Sequence, residues 1–115
     1  MKRILVPIFH ERISPVFDSC TRVLVISAQG GKEIDREQIY LDNLTIEERI
    51  PILRRLNPSV VICGGISEEL SQILEQLHIG LICGVAGNVN DVVKAFLSKK
   101  LNDPLFFMPG FKTTH

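Results

Sequence analysis

Twice in its second half the chain runs a short apolar segment into glycine and then into a helix start. Ser59 to Cys63 ends in Gly64-Gly65, and Gly80 to Val85 leads to Gly87-Asn88. Runs of this kind, apolar on both faces, fit strands covered by helices on each side, which is the setting of parallel strands. A parallel pair needs a crossover helix. Each run is followed by a helix: Ser67 is the expected N-cap of the one that links the two strands, with Glu68 and Glu69 in its first turn and Leu70, Ile73, Leu74 and Leu77 on its buried face. The other is expected from about Val89 to Leu101.

The first half reads differently. Lys2 to Phe9 and Arg22 to Ala28 are strands rich in β-branched residues. Glu11 to Thr21, with Ser14-Pro15 and Asp18-Ser19, reads as a loop between them. Gln29-Gly30-Gly31 turns tightly into a third strand, Lys32 to Leu41, whose mixed polarity marks an exposed edge. Thr45-Ile46-Glu47-Glu48 has capping-box form and opens a helix to Leu56, with a kink or late start expected at Pro51. Right-handed crossovers then place the fourth and fifth strands beside the first. The expected fold is α/β and ribonuclease H-like, a five-stranded mixed sheet in the order 3-2-1-4-5 with helices on its faces.

At 115 residues, 45% hydrophobic and 23% charged, the chain is expected to form one domain over residues 1–103. An apolar tail, residues 104–115, should bury Leu105, Phe106, Phe107 and Phe111 against the domain or a second copy. Thirteen basic and thirteen acidic side chains cancel, so no long-range field draws in a polyanion, and nucleic acid is not an expected partner. Short basic runs at Arg54-Arg55 and Lys99-Lys100 read as solvated helix faces. No apolar stretch approaches the ~20 residues of a spanning helix, and no signal peptide is recognised, so a soluble cytoplasmic protein with reduced thiols is expected.

Ligands of open α/β sheets bind beyond the carboxyl ends of the strands, where connections diverge. Here His10, the loop to Cys20, the Cys63-Gly64-Gly65 corner and Cys83 should converge. Imidazole and thiolate suit iron or an iron-sulfur cluster. His10 and Cys20 are the first candidate metal ligands, with Cys63, Gly64 and Gly65 completing a cofactor site. Other readings stand beside these. Cys63 and Cys83 could be small buried hydrophobes at strand ends, Cys20 lies in or just after a loop and should be more open, and His10 could cap a carbonyl. No Cys-x-x-Cys pair is present. Gly64-Gly65-Ile66-Ser67 could present amides to an anion, or serve as a tight strand-to-helix turn. Strand one carries no carboxylate for nuclease metals, no Gly-x-Ser-x-Gly occurs, and Asp18 and Asp91 read as loop or cap residues, so no catalytic set is assigned.

Arg3-Ile4-Leu5-Val6-Pro7, Arg12-Ile13-Ser14-Pro15-Val16-Phe17-Asp18, Val61-Ile62-Cys63-Gly64-Gly65-Ile66 and Gly84-Val85-Ala86-Gly87 with Ala95-Phe96-Leu97 follow one another along residues 2 to 101. In this order they resemble the dinitrogenase iron-molybdenum cofactor biosynthesis family, which includes NifX, NafY and the C-terminal domain of NifB. The resemblance implies a ribonuclease H-like fold and a non-enzymatic accessory role. Its members bind, store or deliver an iron-containing cluster or an iron-molybdenum cofactor precursor, and meet cluster donor or acceptor proteins. Where members that handle the nitrogenase cofactor tend to carry His-Phe in the first long loop, this chain carries Val16-Phe17. The alternative is a metal-free interaction or regulatory domain of the same fold.

Overall fold

The computed structural model describes residues 2–99 together with Leu101 and Phe106. Strand β1 (Lys2–Phe9) forms the middle of the sheet, because its side chains find helices on both faces. Ile4, Val6 and Ile8 enter one core and Leu5 the other, as the two-residue period of a strand requires.

On one side β1 pairs antiparallel with β3 (Arg22–Gln29), which turns through Gly30-Gly31 into β4 (Lys32–Tyr40). Both glycines have positive φ, 62° and 77°, the backbone a two-residue hairpin asks for. On the other side lie the parallel strands β5 (Val60–Ile62) and β6 (Gly80–Ile82). The observed order is β4-β3-β1-β5-β6.

A sixth strand, β2 (Arg12–Ile13), was not expected. It pairs antiparallel with the end of β1 at Ile8 and Phe9. The reason is local: β5 covers β1 only at Ile4 and Leu5, which leaves the far end of that edge with free backbone groups. The returning chain satisfies them, and Ser14 N donates to Pro7 O at 2.9 Å. The mixed α/β sheet therefore has six strands, not five, and the segment from Glu11 to Thr21 is only partly a loop.

Helix α1 (Ile46–Leu56) begins at the expected capping box, with Thr45 and Glu48 hydrogen-bonded reciprocally, and runs through Pro51 without a late start. Helices α1 and α2 (Glu68–Gln76) cover one face through Leu53, Leu70 and Leu74. Helix α3 (Val89–Leu97) covers the other through Val89, Val92 and Val93. It ends earlier than Leu101, because Ser98 caps it and Lys99 turns left-handed at φ 61°. Strand β5 is also shorter than expected, and so is β6, since Gly84, at φ 77°, carries the chain out of the ladder after it. The tail lies outside the described residues apart from Phe106, whose carbonyl accepts from Ala86 N at 2.7 Å and whose side chain packs on the α3-side core.

Candidate functional site

The carboxyl ends of β1, β5 and β6 are closed over by the chain that follows β2. This strap runs from Ser14 to Phe17. Gly65 N donates to Pro15 O at 2.6 Å, and Phe17 N donates to Gly65 O at 2.8 Å, so it is stitched to the Gly64-Gly65 corner like a fragment of parallel strand. On its other flank Ile13 N donates to Gly87 O at 3.0 Å, and Val89 N donates to Glu11 O at 2.9 Å. The two glycine corners and the strap therefore meet at one end of the sheet.

Gly64 is required there by space. A Cβ at this position would stand 2.7 Å from Ser14 O and 2.9 Å from Pro15 O, both fixed backbone atoms. A Cβ on Gly65 would meet Pro15 O at 3.0 Å. These glycines permit a close backbone crossing; the strap occupies the N–H and C=O of Gly65, while the Gly64 carbonyl accepts from Gly84 N at 2.8 Å.

Beyond the strap, Asp18 reaches α2. Its carboxylate accepts from Ser67 N at 2.8 Å and from Ser67 Oγ at 2.5 Å, while Ser67 Oγ caps Leu70 N. Asp18 is thus a cap supplied from a distant loop, and the negative charge sits at the positive end of the helix.

His10 lies at the tip of the β1–β2 turn, exposed, at φ 56°, with its ring edge-on to Phe9 at 4.3 Å between centroids. Cys20 is elsewhere. It is only 4% exposed and packs in the core beneath α1 and α2, a correction to the expectation that it would be open. The segment after Asp18 tucks inward because Arg49, itself buried on α1, donates to Cys20 O at 2.7 Å, to Leu41 O at 3.3 Å and to Leu44 O at 3.1 Å. Arg49 Nη1 also stands 3.6 Å from Cys20 Sγ. No sequence signal marked Arg49, since an arginine on an amphipathic helix ordinarily faces water.

Cys63 is fully buried in the same core cluster, with Cys83 half-buried against it. Burial pushes the Cys63 thiol up to about 12, helped by the neighbouring Cys83, Asp18 and Cys20. Burial likewise raises Cys20 to about 11, against the opposing pull of Arg49. All three thiols therefore share the α1–α2 side of the sheet, while His10 is set apart on the exposed turn. Among the described residues, no three His, Cys, Asp or Glu side chains gather closely enough to hold a metal ion.

No helix among the described residues is long and apolar enough to cross a membrane. No family profile matches the sequence, and no curated protein matches it closely. Solved structures do match. One is a protein provisionally named a dinitrogenase from Methanocaldococcus jannaschii, 18% identical, with TM-score 0.72 over 85% of this chain and 89% of that one. Another is a protein from Thermotoga provisionally named NifB, of the DUF35 family, 13% identical, with TM-score 0.70 over 100% and 99%. A third is the apo form of the orange protein from Desulfovibrio gigas, 18% identical, with TM-score 0.71 over 99% and 98%. In fold, the chain stands with these dinitrogenase-related, NifB-like and orange-protein structures.

Proposed function

We propose that the protein is a cytoplasmic, non-enzymatic accessory protein with a ribonuclease H-like fold, which takes up an iron-containing metallocluster as cargo and passes it between a donor and an acceptor protein. The cargo class is an iron-sulfur cluster or an iron-molybdenum cofactor precursor. The observation that carries this reading is the convergence of the strap and both glycine corners at the carboxyl end of the sheet, the usual ligand position of such sheets. Its likeness in fold to the dinitrogenase-related and orange-protein structures supports the same reading.

His10 is the exposed first contact. Cys20 and, in reserve, Cys63 become ligands when the segment from Ser14 to Cys20 lifts from Gly64 and Gly65. A cluster that arrives assembled brings its own sulfides, so few protein ligands suffice. Thiols held at about 11 and 12 must lose protons to bind iron, so loading weakens as pH falls.

The second reading, a metal-free interaction or regulatory domain, is favoured by the burial of Cys20 and Cys63 in the core, away from the exposed His10. Anaerobic reconstitution with ferrous iron and sulfide, read by absorbance and metal analysis, separates the two. The cargo reading expects bound iron, weakened about 10-fold or more by His10→Ala with Cys20→Ser, and much less by Cys83→Ser. A double variant that loads iron like the parent would sink this site and favour the metal-free reading.

A further inference from the structure

Cys63 and Cys83 stand side by side at the ends of two adjacent parallel strands. The register pairs Val60 with Gly80, Val61 with Leu81 and Ile62 with Ile82, so the next residues on the two strands are these cysteines. The ladder's hydrogen bonds continue to this level, with Cys63 N donating to Ile82 O at 2.9 Å. Residues level with one another on neighbouring strands point to the same face, and both thiols belong to the core beneath α1 and α2.

Neighbouring strands lie about 4.8 Å apart, and disulfides join residues whose Cα atoms are about 4.4–6.8 Å apart. The backbone spacing therefore already suits a link. Access is asymmetric: Cys83 is half-buried at the open end of β6, where Gly84 leaves the ladder, and Cys63 is fully buried behind it. Cys20, the remaining thiol, lies off the β5–β6 ladder and is engaged by Arg49.

We propose that Cys63 and Cys83 form a reversible dithiol–disulfide pair, oxidised by low-molecular-weight disulfides of the glutathione class. Cys83 is the entry thiol. Its thiolate attacks one sulfur of the small disulfide, forms a mixed disulfide and expels one small thiolate, which takes up the proton Cys83 lost. Cys63 then gives up its proton, attacks Cys83 Sγ and expels the second small thiol. Two protein thiols are oxidised to one disulfide, and one small disulfide is reduced to two thiols. The link closes beside Gly64 and Gly84, where Gly84 N already donates to Gly64 O at 2.8 Å, and ties the corner that receives the strap to the end of β6. It requires no cluster, so it stands or falls apart from the cargo reading.

The full reduced chain, free of added metal, is incubated with glutathione disulfide, and then its intact mass and its alkylatable thiols in denaturant are measured. The expected product has lost two hydrogens and keeps one free thiol of the original three, mapped to Cys20, with all three restored by dithiothreitol. Cys63→Ala should stop at glutathione on Cys83, and Cys83→Ser should leave Cys63 and Cys20 unmodified. Three free thiols in the parent, a mixed disulfide that persists there, or a link through Cys20 would overturn the proposal. Because the parent alone decides these outcomes, poor folding of a variant does not shelter it.

Discussion

Arg49 shows how a single side chain sets the inner wall of this molecule. It is charged and almost fully buried, yet it spends its donors on the carbonyls of Cys20, Leu41 and Leu44, of which Leu41 O also accepts from Leu44 N at 3.3 Å. Replacing it with leucine keeps an aliphatic side chain there but leaves the Cys20 and Leu44 carbonyls without the guanidinium. Arg49→Leu should destabilise the fold by roughly 2–4 kcal/mol in urea unfolding, the cost of unpaired buried carbonyls. A change below about 0.5 kcal/mol, the scale of an ordinary surface substitution, would contradict this role. The thiols nearby make a second prediction. Folding holds Cys20 and Cys63 protonated to about 11 and 12, while the unfolded chain ionises them near 9.0. Stability is thus intact below about pH 9 and falls as pH rises from there towards 11 and 12, by up to about 1.4 kcal/mol per pH unit per thiol. Cys20→Ala should flatten the fall seen by urea unfolding between neutral and alkaline pH, and an unchanged slope would rule out its share. Sequence could point to thiols and an imidazole near one end of the sheet. It could not place them, because burial of Cys20 depends on Arg49, a contact between residues 29 positions apart.

At the scale of elements, local signals were legible and tertiary ones were not. The capping box at Thr45 and the Ser67 cap are encoded within four residues, so their helices begin where the pattern places them. Strand β2 has two residues and no periodicity, and it forms because β1 has a free edge there. The clamp from Asp18 to Ser67 likewise joins segments that no local pattern connects. Asp18→Ala should remove two hydrogen bonds and the helix-end charge, costing about 1–2 kcal/mol, while amide exchange from Ser14 to Cys20 becomes faster. Unchanged exchange in that segment would show that the clamp does not hold it. Gly64→Ala is the sharper test of the strap, because the new methyl meets backbone oxygens at 2.7 Å and 2.9 Å. It should cost about 1–3 kcal/mol and shift the amide resonances of Pro15's neighbours, Ser14 and Val16. A neutral effect would mean that the crossing is looser than described.

For the molecule as a whole, the alternation between apolar runs, glycine corners and capped helices was enough to read a mixed sheet with helices on its faces. What it could not give was the closure of the carboxyl end by the strap, which depends on Gly64, Gly65 and Gly87 meeting a segment some fifty residues or more earlier in the chain. The opposite end offers a rival location, an open groove of about 550 Å³ lined by Ser71, Glu75, His78, Ile79, Gly80 and Leu81. The most direct test of the cargo reading is an amide-resolved NMR map of the chain before and after anaerobic loading with iron and sulfide, read as paramagnetic broadening. The account predicts broadening confined to residues 10–20, 63–67 and 83–88, with Ser71 to Leu81 left sharp; broadening centred on Ser71 to Leu81, or none at all, would contradict it.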